Sequence, residues 1–168
     1  MDSSVYFHDG GFCIEYAFPF LDSGYLNRLV LEARVLAISV EYRLALKNPL
    51  PIAYEDCWDA LRWVASHSSN KDTDNNKDAG GNIAHNMAIK VEVESLCGGV
   101  KILVAFLSHP YFWSSKPIRS EPRGEDFEKT LPYLVWDLVY PSAPRGIDNP
   151  MLNPAGDSEQ RLAGLACS

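Results

Sequence analysis

The chain has 168 residues, a formal net charge of −7, 46% hydrophobic residues and 22% charged residues. This length suits one domain with a sizeable core, and the composition is that of a folded globular protein rather than a disordered one. The acidic balance argues against nucleic acid or an anionic membrane as a partner, because both select basic surfaces.

Targeting and metal-binding signals are missing from the sequence. The chain shows no basic segment followed by an apolar signal core, and no apolar stretch as long as a membrane span, so we expect a cytoplasmic protein. The four cysteines are far apart and form no CxxC pair. This spacing predicts buried free thiols, no metal site and no dense disulfide framework. We also expect no cofactor.

The first part of the chain predicts a strand, a helix and a second strand. Residues 5–7 are a short β-prone run, and the apolar residues of 21–32 recur at helical spacing. Residues 35–40 are predicted to form a buried strand. A strand, helix and strand in this order predict a parallel βαβ unit with a right-handed crossover.

The rest of the chain alternates between helical, polar and apolar segments. A helix is predicted at residues 53–67, another after Ala79, a strand at 100–107 and a short helix at 131–140. Residues 68–78 contain no apolar side chain, which predicts a solvated loop. Residues 111–168 are rich in loops and are expected to form a cap or connecting segment. The alternation predicts an α/β class and one domain over residues 1–168.

Several motifs, in a fixed order, carry a resemblance to a known family. His8-Asp9-Gly10-Gly11-Phe12 resembles the HGGGF motif of the hormone-sensitive-lipase-like carboxylesterases, which have the α/β-hydrolase fold. Residues 40–56 resemble the segment that follows it, and 79–86 resemble the residues just after the nucleophile in the GDSAGGN motif. Residues 109–113 and 148–154 are similar to the plant branch, which includes the gibberellin receptor and the hydroxyisoflavanone dehydratases.

The resemblance implies a site that holds an oxyanion. In this family the HGGG loop supplies backbone N–H groups to the charge that develops during ester hydrolysis. Gly10 and Gly11 are then two donors, and Ala79, just after the nucleophile position, is a third. Each donor of this kind contributes about 2.7–4 kcal/mol of transition-state stabilisation.

The nucleophilic serine of the family is missing. The matching residues are Asn76-Lys77-Asp78-Ala79-Gly80, so either Asp78 occupies the serine position or it is the family's preceding aspartate and the serine is deleted. A carboxylate at about 4 Å from a developing oxyanion repels it by roughly 4 kcal/mol at an effective dielectric near 20. Asp78 is therefore a poor substitute for serine.

The other two members of the catalytic triad are also missing from the matched positions. By resemblance, the acid and the histidine follow Ser168. The histidines of the chain are each interpreted as structural; they are His8, His67, His85 and His109. We therefore expect a catalytically inactive chain with an incomplete α/β-hydrolase sheet of mostly parallel strands flanked by helices. The strand before Asp78 and the C-terminal strands are expected to be absent, leaving a gap of about 9.6 Å between neighbouring strands.

Three functional hypotheses follow. The first is an inactive protein of the carboxylesterase family, and the second is a gibberellin-like binder of small apolar acids that does no chemistry. The third is an incomplete gene record of an active esterase. The partner in each case is a small apolar ester or acid, and the sequence leaves the oligomeric state open.

Overall fold

The computed structural model describes residues 3–18, 20–67, 72–76, 79–107, 109–116 and 128–156, with the backbone alone described at 20–22, 72–76 and 79. Strands and helices alternate along most of this chain. In order they are β1 (Ser3–Phe7), α1 (Phe20–Ala33), β2 (Leu36–Val40), α2 (Ile52–His67), β3 (Asp72–Asn76), α3 (Ala79–Glu94), β4 (Lys101–Phe106) and α4 (Leu131–Val139). The predicted α/β class is confirmed.

The strands form one parallel sheet in the order β2-β1-β3-β4. β1 pairs with β2 along its whole length and with β3 from Ser3 to Tyr6, so β1 lies in the interior of the sheet. The first strand, α1 and β2 therefore form the parallel βαβ unit that the sequence predicts. Among the described strands, β2 lies at one edge of the sheet, and Leu36 at its start is more than half exposed. The prediction of a buried strand at residues 35–40 is therefore confirmed for Val35 and Val40 and wrong for Leu36.

The expected absence of a strand before Ala79 is wrong. Residues 72–76 form β3, which pairs in parallel with β1 on one side and β4 on the other. A backbone placed between two strands satisfies its own N–H and C=O groups and those of its neighbours, whatever its side chains are. The polar composition therefore predicted a loop where the pairing makes a strand, and the expected gap between neighbouring strands is not there. Residues 68–71 and 77–78 of the predicted loop lie outside the described residues.

The core lies between the sheet and one face of α2 and α3. Buried apolar side chains recur at helical spacing in α2, as Ala53, Cys57, Leu61 and Val64 do, and this stripe packs with Ile83, Met87 and Val91 of α3. Trp136 of α4 is buried in the same cluster, and its indole N–H donates to the carbonyl of Gly146 over 2.9 Å.

The cysteines only partly match the expectation of buried thiols. Cys57 is buried, Cys13 is half-buried and Cys97 is exposed, and all three are free. Cys97 follows α3 in a short 3-10 helix at the surface, Cys97–Gly99. Of the helices in the described ranges, none is both long and apolar enough to span a membrane.

Candidate functional site

The candidate site lies at the carboxyl edge of the sheet. β1 ends at Phe7 and leads directly into the glycine loop, which we define as residues 8–14. β3 ends at Asn76, and α3 begins three residues later at Ala79. Because β1 and β3 are parallel and Tyr6 is level with Asn76, the glycine loop and the start of α3 emerge at the same edge. Open α/β sheets generally bind ligands beyond this edge.

Gly80 holds α3 against the end of β1. A Cβ atom at this position would lie 1.9 Å from the carbonyl oxygen of Phe7 and 2.9 Å from its carbonyl carbon. No side chain fits at such distances, so only glycine allows the first turn of the helix to approach β1 this closely. The contact fixes the N-terminus of α3 beside the first residue of the glycine loop.

The glycine loop turns tightly and is closed by its own hydrogen bonds. Gly10 has a φ of 107° and Gly11 a φ of 58°, and the carbonyl of Gly10 accepts hydrogen bonds from the N–H groups of Cys13 and Ile14. A Cβ on Gly10 would lie 2.2 Å from the carbonyl oxygen of Ile14, so this position requires glycine. Asp9 does not adopt a positive φ, and an aspartate is therefore compatible with the turn where the family has glycine.

The buried side chain of His8 supports the glycine loop. Its ring is fully buried and stacks on Tyr42, with ring centroids 4.1 Å apart and planes 3° from parallel. The Nδ1–H group donates to the carbonyl of Asp9 over 2.8 Å, and the Tyr42 hydroxyl donates to the carbonyl of His8 over 2.8 Å. Burial lowers the pKa of His8, although the hydrogen bond to Asp9 opposes the shift. The histidine is thus a neutral structural support for the loop.

Main-chain donors remain available at this edge. Within the described part of the chain, the N–H groups of Gly10 and Gly11 donate to no acceptor. The first N–H groups of a helix also lack partners inside the helix, and the helix dipole favours negative charge there. The glycine loop and the first turn of α3 therefore lie at the same edge of the sheet. Asp78 lies outside the described residues.

Asn82 is a buried residue of this site that is not among the predicted site residues. Its fully buried amide donates to the carbonyls of Tyr111 and Met151 over 2.7 and 2.9 Å, and its Oδ1 accepts from the Tyr54 hydroxyl over 2.5 Å. Asn86, one turn later, donates to the carbonyl of Met151 as well. Two asparagines four residues apart on a predicted buried helix were the available signal, because a buried amide requires polar partners.

The remaining histidines lie away from the donors of the glycine loop or are packed against aromatic rings. His85 is buried on α3 with its ring edge-on to Phe112 at 5.0 Å, and burial lowers its pKa. His67 is in the last turn of α2, where its Nδ1–H donates to the carbonyl of Trp63, in agreement with the structural role predicted for the histidines. His109 follows β4 and is exposed.

Arg43 and Asp56 form a bidentate ion pair with an Nη2–Oδ1 distance of 2.6 Å, and the arginine side chain is 55% exposed. The aromatic side chains near the site divide into two groups. Trp136 and Tyr140 pack in the core, while Tyr111 reaches the ring of Phe12 in the glycine loop at 6.4 Å.

Comparisons with known proteins agree with this architecture. A family model described as the alpha/beta hydrolase fold matches residues 4–167. The chain is 47% identical to a 2-hydroxyisoflavanone dehydratase of Glycyrrhiza echinata and 40% identical to probable carboxylesterase 7 of Arabidopsis thaliana, and in each case 97% of this chain covers 55% of the relative. A solved arylesterase superposes with a TM-score of 0.72 at 21% identity, over 93% of this chain and 53% of the esterase. The chain thus spans about half the length of these proteins.

Proposed function

The chain belongs to the alpha/beta hydrolase family, whose model matches residues 4–167, and from this premise we propose that it binds small apolar carboxylic acids or esters without hydrolysing them. The anionic or carbonyl oxygen of the ligand is held by the main-chain N–H groups of Gly10, Gly11 and Ala79. The apolar part of the ligand lies toward Tyr111, whose ring packs near that of Phe12 in the glycine loop.

One observation supports the anion-binding part of this proposal above the others. Gly80 allows the first turn of α3 to touch the carbonyl of Phe7, and this contact brings two sets of main-chain donors to one edge of the sheet. A neutral peptide N–H that has no protein acceptor is costly to bury and gains most from an anionic oxygen. The arrangement therefore suits a carboxylate or a polarised carbonyl.

The residue types at the matched positions oppose ester hydrolysis. Acyl transfer requires a nucleophile, a base that takes its proton and donors for the oxyanion. The chain has Asp78 where the family has serine, or lacks the serine altogether, and the described histidines near this edge are engaged in packing: His8 stacks on Tyr42 and His85 contacts Phe112. The donors are thus present without the groups that attack and transfer protons.

Isothermal titration calorimetry tests the proposal with matched charged and neutral ligands. Hexanoate and hexan-1-ol share an apolar chain, and only hexanoate offers an anion to the main-chain donors. We expect saturable binding of hexanoate. Asp78→Asn removes one negative charge from the residue before α3, and we expect hexanoate affinity to rise at least about fivefold, because like charges about 4 Å apart repel by about 1–4 kcal/mol.

The neutral ligand is the control for this experiment. Hexan-1-ol should bind wild type and Asp78→Asn with the same affinity, since it carries no charge for Asp78 to repel. A flat hexanoate titration with both proteins, or a substitution that changes the affinities for hexanoate and hexan-1-ol equally, would show that no anion is held beside α3.

A second candidate function is favoured by the similarity to a 2-hydroxyisoflavanone dehydratase. Loss of water from a hydroxy ketone removes a proton from the carbon beside the carbonyl, moves negative charge onto the carbonyl oxygen, and expels hydroxide, which leaves as water after protonation. This chemistry requires an oxyanion site and a base but no acyl-accepting nucleophile. A carboxylate such as Asp78 is then suited to act as the base rather than being a defect.

The two candidates differ in what Asp78→Asn does. If the chain dehydrates hydroxy ketones, 2-hydroxyisoflavanone is consumed faster with wild-type protein than in buffer, and Asp78→Asn reduces the rate by about 10²-fold or more, as expected for loss of a general base. The reaction is followed by chromatography of substrate and product. A rate equal to that in buffer rejects dehydration by this chain and leaves binding as the remaining candidate.

A further inference from the structure

Helix α4 lies against the glycine loop. A Cβ atom on Gly11 would lie 3.8 Å from Cγ1 of Val135, which is an ordinary van der Waals distance. Among the described residues, and apart from the chain neighbours of Gly11, no other atom comes within 4 Å of this Cβ position. Val135 is therefore the side chain that borders the loop at Gly11, one of the proposed donors to the ligand.

Hydrogen bonds attach α4 to the rest of the fold at both of its ends. In the first turn, the carbonyl of Pro132 accepts from the hydroxyl of Tyr111. At the other end, the carbonyl of Val139 accepts from the N–H group of Leu50 over 2.8 Å. Pro132, Val135 and Val139 are spaced by three and four residues, so they lie on one face of the helix. Val135 is thus held beside the loop by attachments on either side of it.

The side chain of Val135 is also rigid. Two methyl groups on Cβ leave valine one strongly preferred rotamer in a helix. Val135 is half-buried and packs against the hydrophobic core. A ligand atom that overlaps its methyl groups must therefore displace packed neighbours, which is unfavourable. Val135 forms a fixed steric boundary close to the N–H group of Gly11.

The distances place this boundary within reach of a ligand held by Gly11. The nitrogen of a residue and its Cβ position are both bonded to Cα and lie about 2.5 Å apart, so Cγ1 of Val135 is at most about 6.3 Å from the nitrogen of Gly11. A carboxylate oxygen accepts from that nitrogen at about 2.9 Å. A substituent that points toward α4 from the carbon next to the carboxylate therefore meets Val135. When this carbon carries two methyl groups, rotation cannot turn both of them away.

We propose that Val135 determines which acids the site accepts, and that it favours acids whose carbon next to the carboxylate is unbranched. This inference rests on the proposed function, because it requires that Gly11 holds an oxygen of the ligand. The apolar chain of the ligand leaves the boundary on the side of Tyr111, whose ring lies 6.4 Å from that of Phe12. A linear chain fits this path, and a group added beside the carboxylate does not.

Calorimetric titrations with hexanoate and 2,2-dimethylhexanoate test the proposal. The two acids have the same charge and the same main chain, and they differ only in two methyl groups beside the carboxylate. We expect wild type to bind hexanoate at least about tenfold more tightly, since one carbon too many in a fitted site changes recognition by about tenfold or more. In Val135→Ala the preference should fall to about twofold or less, because the methyl groups that form the boundary are gone.

Two variants serve as controls for this measurement. Val93→Ala removes the same methyl groups from an exposed valine (78%) on α3, and the preference for hexanoate should be that of wild type. Val135→Thr keeps the branched shape of the side chain in α4 and should also keep the preference. A loss of preference in Val135→Thr equal to that in Val135→Ala would mean that the shape of residue 135 is not what selects the ligand.

The outcomes separate this inference from the proposed function. If wild type binds hexanoate and Val135→Ala keeps the full preference, the inference is wrong and anion binding stands. Equal affinity of wild type for the two acids would also overturn it. If wild type does not bind hexanoate, the proposed function fails and the inference fails with it. Should circular dichroism show that Val135→Ala is unfolded, Val135→Ile replaces it. The added methyl group should increase the preference at least about threefold, and an unchanged preference would contradict the inference.

Discussion

The contact between Gly80 and Phe7 yields the sharpest prediction about stability. In Gly80→Ala the added Cβ would lie 1.9 Å from the carbonyl oxygen of Phe7, whereas ordinary contacts begin at 3.4 Å. The first turn of α3 must therefore move by about 1.5 Å, because a backbone carbonyl cannot rotate away as a side chain does. Overpacking of this kind costs about 1–3 kcal/mol, and a clash with the backbone lies at the upper end of this range. Alanine stabilises a helix by about 1 kcal/mol relative to glycine. We therefore expect the free energy of unfolding to fall by about 2 kcal/mol.

Urea unfolding followed by circular dichroism measures this loss, and Gly24→Ala is its matched control. Gly24 is also inside a helix, α1, but a Cβ there meets nothing within 4 Å. The same substitution should therefore raise the free energy of unfolding by about 0.5–1 kcal/mol. If Gly80→Ala were as stable as wild type, or gained stability as Gly24→Ala does, then α3 would not be packed against β1 as described.

Two further predictions concern buried polar groups. Tyr54→Phe removes the 2.5 Å hydrogen bond to Asn82, whose Oδ1 still accepts from Asn86. This substitution should lower the free energy of unfolding in urea by about 1 kcal/mol. Asn82→Ala leaves several buried partners unpaired and should lower it by about 3 kcal/mol or more. If the two substitutions lowered the free energy of unfolding equally, Asn82 would not be the residue that joins these hydrogen bonds. Stability should also fall as the pH drops below about 6.5, because burial lowers the pKa of His8 and of His85. The unfolded chain then binds protons that the folded chain does not, and each histidine contributes at most about 1.4 kcal/mol per pH unit until the folded pKa is reached. In His85→Phe this pH dependence should be weaker, and an unchanged slope would show that His85 is not held neutral by the fold.

Apolar periodicity predicted most elements of the fold. The stripe of Ala53, Cys57, Leu61 and Val64 identified α2, and the alternation of strands and helices identified the α/β class, because burial of one face leaves a regular pattern in the sequence. β3 could not be found in this way. Its residues 72–76 are all polar, and its position comes from pairing with β1 and β4, strands that are distant in sequence.

The candidate site was predictable in part for a similar reason. Gly10 and Gly11 stand out because paired glycines after a strand signal unusual backbone angles, and both have a positive φ. The roles of Gly80 and Asn82 depend on contacts with Phe7, Tyr111 and Met151. Contacts of this kind join segments up to 73 residues apart, and no local pattern records them.

The central claim is that the chain has main-chain donors for an oxyanion but no nucleophile to attack an ester. The most direct test is the steady-state release of p-nitrophenolate from p-nitrophenyl acetate and butyrate. With purified wild-type protein we expect the rate in buffer and no saturation with substrate, because the residue directly before Ala79-Gly80 is Asp78 and not a serine. Saturable turnover well above the buffer rate would contradict this expectation and show that another residue of the chain attacks the ester.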